Sequence, residues 1–293
     1  MAATFPLWGD ADELRRVIDV EQVDDDRFVG PAHGPTRRNV VEGGQLLGEA
    51  IVAASKMLQG QRVTSASMIF SKAAAFDAPV DLAVDVLRRG KTFSSAEVRV
   101  SQHGVLRSAG IFLADSGAGD VIRNAEPMPD LPGPDAAVPF PGFGMTGRDI
   151  RVIDGDYDPD PDRVGPPVIN VWVRFRDMPS EPYLGAALLA QSTTHWIIAA
   201  GMRPHHGFGE ARAHVTLSTG ILKATVAFHD EADISDWLLY TNHAFWAGRG
   251  LVQGDGRVFT QNGSLVASYT IQAMVREFVV APAAMGHTSR TAM

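Results

Sequence analysis

Arg89-Gly90-Lys91-Thr92-Phe93 in the first half of the chain is answered by Ala247-Gly248-Arg249-Gly250-Leu251 in the second, and the stretches around the two correspond. A run with strand character precedes each, at residues 80–86 and 237–242. Two more runs follow each, at 97–101 and 108–113 about Gly104, and at 257–260 and 265–275 about Asn262-Gly263. A helical pattern leads both sets, at 44–58 and 183–202. A helix followed by an antiparallel meander, written twice, predicts two similar modules packed together. A ligand site is expected at their seam.

Composition agrees with two modules and removes several function classes. The chain has 293 residues, room for two units of about 120–150 residues each. Apolar residues make up 45% and charged residues 20%, enough to build a full core. The net charge of -8, with Arg and Lys scattered, weighs against nucleic-acid binding. Cysteine is absent, which removes disulfides, thiolate nucleophiles and Cys-ligated zinc and suits a reducing compartment. The first ten residues lack the basic start and apolar run of a signal peptide. No stretch reaches the roughly 18 apolar residues of a membrane span. A cytoplasmic protein without a membrane span is expected.

Along the chain, residues 11–20 read as a short helix with Leu14, Val17 and Ile18 on one face and Asp10 as cap. A short strand is expected at 27–29, then a turn-rich stretch at 30–39. The helix at 44–58 is apolar around most of its circumference, which predicts burial on all sides. A strand follows at 63–70. Residues 117–149 hold six prolines among glycines and aspartates and predict extended chain crossing a surface. At 168–176, Val171, Val173 and Phe175 alternate with Asn170, Trp172 and Arg174, as in a strand buried on one face. The resulting division is an N-terminal module at 1–116, a Pro/Gly-rich linker at 117–167, a C-terminal module at 168–280 and a flexible tail at 281–293.

Gly43-Gly44-Gln45 entering the first long helix, the Arg89–Phe93 turn, Phe228-His229, Trp237-Leu238-Leu239-Tyr240, Gly248-Arg249-Gly250 and Leu265-Val266-Ala267-Ser268 come in an order that resembles the type II acyl-CoA thioesterases. The likeness runs over roughly residues 29–276. It implies an α+β tandem hotdog, with two antiparallel sheets each wrapping a long buried helix. It also implies hydrolysis of fatty acyl-CoA to free acid and CoA by a positioned water, no cofactor, and assembly into a homo-oligomer. The family uses an Asp, a Thr and a Gln to hold that water. In register, the Asp falls at Thr194. The Thr falls at Ile221, with Ser218 and Thr219 just upstream, and the Gln falls at Ile271, with Gln272 one residue late. One residue along a strand reverses a side chain's direction, so Gln272 serves there only if a bulge corrects it.

Other polar residues are candidates for the changed roles. Glu49 is the one carboxylate inside either buried helix and lies four residues from Gln45, on the same face. It reads either as a general base or nucleophile, or as a side chain paired with an Arg or reaching solvent. Gln191, Thr194 and His195 cluster on the second helix; His195 reads as a base or as a satisfied core histidine. Ser218 and Thr219 supply hydroxyls beside a strand, and Gly43-Gly44 offers free N–H groups at a helix start. Arg89, Gly90 and Lys91, with Arg88 and Arg249, are the expected contacts for the CoA phosphates. The adjacent pair His205-His206 is not expected to hold a metal. The catalytic set is therefore Glu49, Gln191, Thr194, Thr219 and Gln272, with substrate binding by Gly43, Gly44, Gln45, Arg89, Gly90, Lys91, Ser218 and Arg249. The alternative is a non-catalytic acyl-CoA or acyl-carrier binding protein that kept the groove and lost the chemistry. A hydratase would need an Asp–His pair that the first buried helix lacks.

Overall fold

The computed structural model describes residues 11–32, 40–140, 147–153, 155–158, 160–176 and 179–280. Asp10, most of the turn-rich stretch at 30–39 and the tail at 281–293 lie outside them. In chain order the first half runs α1 (Ala11–Ile18), β1 (Glu21–Asp24), β2 (Arg27–Gly30), α2 (Gly43–Met57), β3 (Arg62–Phe70), β4 (Val80–Arg88), β5 (Phe93–Gln102) and β6 (Val105–Asp115). Next come β7 (Val138–Phe140), β8 (Arg148–Val152), β9 (Val168–Phe175), α3 (Pro182–Ser192) and α4 (Ile197–Met202). The chain closes with β10 (Leu217–Phe228), β11 (Leu238–Gly248), β12 (Leu251–Thr260) and β13 (Leu265–Glu277).

The strands form one 13-stranded sheet in the order β1-β2-β4-β5-β6-β3-β10-β13-β12-β11-β9-β8-β7. The two separate sheets expected from the sequence are therefore fused. β3 and β10 pair antiparallel, with Ile69 opposite Lys223 and Ser65 opposite Ala227. Each would otherwise leave a row of backbone donors and acceptors unpaired at a sheet edge, and joining satisfies both rows.

The helices pack on one face of this sheet. α2 is buried from Gly44 to Ser55 and lies against α3. Contact is close because side chains are missing where the helices touch. A Cβ on Gly48 would run into Ile18, and one on Gly44 into Thr194 and the Gln191 carbonyl oxygen. The second helix is not one helix. Thr193 and Thr194 turn their hydroxyls back onto the carbonyls of Ala190 (2.7 Å) and Gln191 (2.9 Å), and their backbone N–H groups bond the same carbonyls three residues back, which tightens the last turn. The chain turns, buries Trp196 and resumes as α4.

The linker also departs from expectation. β7 and β8 lie within it and extend the sheet beyond β9, with Arg148, Ile150 and Val152 turned inward. Upstream of them, Met128 and Leu131 cover the outer face over Trp172, Leu239 and Phe259, and Pro132 accepts a hydrogen bond from the Trp172 indole at 2.9 Å. Trp172, which alternation assigns to the exposed side of β9, is 1% exposed. β9 is buried on both faces. Among the described residues, no helix is long and apolar enough to cross a membrane.

Candidate active site

A cavity of about 440 Å³ opens where the two halves of the sheet meet, between the start of α2, the end of β3, the α3–α4 break and the start of β10. Its apolar wall includes Leu46, Phe70, Ile198, Ile221, Leu222 and Met274. Its polar wall holds Glu42, Gly43, Thr194, His195, Glu210, His214, Ser218 and Thr219, with exposed Lys72 also in the lining.

α2 delivers the first polar group. Its N-terminal residue Gly43 is in the cavity lining, and the preceding Glu42 is extended. The Leu46 N–H closes the first helical bond onto the Glu42 carbonyl at 3.2 Å, so the N–H groups at the helix start are those without helical acceptors. The Glu42 carboxylate accepts from the Gln191 amide at 3.3 Å. Behind Gln191 stands Arg148, from β8. Its guanidinium donates to Gln191 Oε1 (3.1 Å) and to Ser192 Oγ (2.6 Å), and meets His195 Nε2 at 3.3 Å. Burial lowers the Arg148 pKa to about 10, against the pull of Glu42, so it stays a cation near neutral pH. Burial, and then the charge of Arg148, hold the His195 pKa well below the usual histidine range. His195 is neutral in this setting. Across the cavity, Thr219 Oγ1 lies 3.0 Å from His214 Nε2.

The structure gathers some of the expected site residues and scatters others. Gly43, Thr194, Ser218 and Thr219 line the cavity together. Gln191 sits directly behind it. Gly44 lies under Thr194, where its missing side chain permits the approach. Glu49 and Gln45 lie outside the cavity lining. Gln45 donates to Glu49 Oε1 at 2.8 Å and to the Pro31 carbonyl at 2.7 Å, both side chains being fully buried. Glu49 Oε2 has no hydrogen-bond partner among the described residues, and burial raises its pKa well above 4.5. It packs beside Gly30, where burial favours its protonated form. Gln272 bonds to Gln253 at 3.2 Å across β12. The irregularity in this ladder lies in β10, between Ile221 and Lys223, so Ile271 and Ala273 keep the buried positions and Gln272 stays on the opposite face.

The two matching turns also part company. Phe93 is opposite Asp115, Asp115 is opposite Arg62, and Arg62 reaches the His229 carbonyl. The Arg89–Phe93 turn is therefore at the sheet end where β10 finishes. Leu251 is opposite Met274 and Ser218 opposite Arg276, which puts Arg249 at the end where β10 begins. Arg89 donates to the Met57 carbonyl at 2.8 Å, a helix of 15 residues and so about 22 Å from Gly43. Arg89, Gly90 and Lys91 are remote from the cavity; Arg249 shares its end of the sheet but not its lining. Sequence reasoning missed Glu42, Arg148, Glu210 and His214, which sit in loops or in the presumed linker and carry no motif.

The sheet wrapped on helices defines a hotdog-type α+β fold. A protein of that fold from Alicyclobacillus acidocaldarius superposes with a TM-score of 0.73 at 19% identity, over 91% of this chain and 98% of that one. The acyl-CoA thioesterase II TesB2 of Mycobacterium marinum gives a TM-score of 0.77 at 25% identity, over 91% and 99%. Human acyl-coenzyme A thioesterase 8 is 25% identical over 297 residues, covering 89% of this chain and 88% of its own. The family models for the acyl-CoA thioesterase N-terminal and C-terminal domains match residues 32–114 and 123–275. The chain belongs to the type II acyl-CoA thioesterase family, and its chemistry is hydrolysis of an acyl-CoA thioester.

Proposed function

We propose that fatty acyl-CoA is cleaved to free acid and CoA in the cavity at the seam between two hotdog units, with Glu42 as general base. The observation that carries this reading is the position of Glu42: at the start of α2, on the wall it shares with Gly43 and Thr194. The thioester oxygen accepts from the Gly43 N–H, where the positive end of the helix dipole favours developing negative charge. Thr194 gives its own proton to the Gln191 carbonyl, so its oxygen is an acceptor for the attacking water. Glu42 takes the second water proton as the new C–O bond forms. When the C–S bond breaks, that proton passes to the departing sulfur.

Ser218 and Thr219, the latter tied to His214, line the wall against the thioester. The acyl tail follows Leu46, Phe70, Ile221 and Met274. Lys72 and the Arg249 turn face the CoA phosphates. Glu49, Gln45, Gln272 and Arg89–Lys91 have no part in this step. The repeated element order supports units at 1–116 and 168–280, with residues 117–167 connecting them and adding β7 and β8 to the sheet beside β9. The exposed row of Ile69, Ile111 and Leu113 on the outer sheet face supports a homo-oligomer, and the absence of cysteine supports a cytoplasmic setting.

The test is CoA release from acyl-CoAs of graded chain length by the wild type and Glu42→Gln. A loss in kcat of about 10²–10⁴, with KM and Tm little changed, is expected for removal of a general base. Wild-type turnover by Glu42→Gln would overturn the assignment.

A further inference from the structure

We infer that Arg148 is a positioning residue of the hydrolytic site, setting through Gln191 and His195 which polar atoms face the cavity. The inference rests on the cavity being the site of hydrolysis. Its starting point is chemical: a guanidinium donates and never accepts. Arg148 is 4% exposed and spreads its donors over three neighbours, Gln191, Ser192 and His195.

Each contact removes an ambiguity. The primary amide of Gln191 has an oxygen end and an NH₂ end that fit the same space. Because Arg148 holds the oxygen, the NH₂ is turned toward Glu42, 3.3 Å away. A neutral imidazole has one N–H and one lone pair. Because Arg148 donates to Nε2 of His195, the lone pair is there and the proton is on Nδ1. His195 is thereby a donor and not the base, which leaves that role to Glu42. Among the described residues, Arg148 from β8 contacts His195 directly, and the charged or titratable groups that line the cavity with it are Glu42 before α2, Lys72 after β3, and Glu210 and His214 on the loop before β10. Tyr240 on β11 lies close enough to Arg148 to affect its charge and bonds the Leu189 carbonyl at 3.3 Å.

A hydrophobic side chain in place of Arg148 would remove the donor that holds the Gln191 oxygen and His195 Nε2, leaving the acceptor-only Glu42 carboxylate to orient the amide from its other end. The same strand explains why β8 matters to the enzyme: it extends the sheet by one place and inserts this guanidinium behind the α3–α4 break.

Two measurements test the inference. The first is imidazole nitrogen NMR of His195 in the wild-type protein, which needs no substitution. A neutral ring protonated on Nδ1 from about pH 5.5 to 8 is expected; protonation on Nε2, or titration in the ordinary histidine range, would overturn it. The second compares kcat and KM against pH for Arg148→Lys and Arg148→Met. A fall in kcat of about 100-fold at little-changed KM is expected, together with a new titration limb from His195. Addition of free guanidinium to Arg148→Ala should recover part of the rate. Folded variants with the wild-type pH profile and kcat would sink the positioning role. Full activity in Glu42→Gln would instead remove the site reading and leave the nitrogen spectrum of His195 to judge the contact by itself.

Discussion

The two central helices stand in corresponding places, yet they are used differently. α2 runs unbroken for 15 residues and buries its carboxyl, Glu49, beside Gln45, with its pKa pushed up by burial. Its counterpart is cut by Thr193 and Thr194 into α3 and α4, and the cut turns Thr194 and His195 into a cavity. A continuous helix satisfies its own backbone and leaves its flanks to packing. An interrupted one exposes backbone and hydroxyl groups that need partners, and those groups hold a substrate or a water well. Residues of the interrupted helix line the cavity, and the N-terminus of the intact one meets them from the other side.

If that contrast is right, closing the contact between the two helices does most harm. Gly44→Ala places a methyl against Thr194 and the Gln191 carbonyl, 2.7 Å from the latter. A stability loss of about 1–3 kcal/mol is expected from the forced shift. A kcat loss near 100-fold should accompany it under the proposed mechanism, in which Thr194 orients the attacking water. Thermal denaturation and steady-state kinetics would read both, and an unperturbed kcat would argue against the shared site.

A gentler change separates the two carboxyls. The folded-state pKa of Glu49 lies above its ordinary 4.5, so above that pH the native state holds a proton the unfolded state has released. Wild-type stability therefore falls as pH rises from 4.5 toward the folded pKa. Glu49→Gln removes this slope. Its Tm should exceed that of the wild type by a margin that widens as pH rises above 4.5 toward the folded pKa, with kcat unchanged. A large loss of kcat would restore Glu49 to the catalytic set.

The smallest change belongs to the far end of α2. Arg89 meets the last turn of the helix at the Met57 carbonyl, a contact worth about 0.3–1 kcal/mol. Arg89→Ala should lower Tm slightly and leave KM for acyl-CoA within roughly twofold. A tenfold rise in KM would return the Arg89–Lys91 turn to the CoA site.

What could be read in advance follows from periodicity. Residues 44–58 announce a helix buried on every side because apolar residues surround it. The alternation and turns at 80–113 and 237–275 set out both meanders. Reading failed where the cause is not local. The break after Ser192 comes with three-residue backbone bonds and two hydroxyls bonding backward, which an apolar-rich 20-residue run hides. β8 is short and surrounded by proline, so its pairing with β9 has little signal of its own. Gln272 was one residue from its expected place, and the bulge that ought to have rescued it lies in the neighbouring strand.

By itself, then, the sequence determined the duplicated helix-and-meander plan and the burial of the helices, because repeating patterns of apolar residues act along the chain. Tertiary structure decided that the sheets fuse through β3 and β10, that Arg89 and Arg249 end at opposite ends, and that Glu42 and Arg148 join Thr194 while Glu49 is shut away. Those outcomes depend on register and on contacts between residues as far apart as Glu42 and Gln191. A hydrogen bond acts over about 3 Å whatever the separation along the chain, and that closeness exists only once the chain has folded.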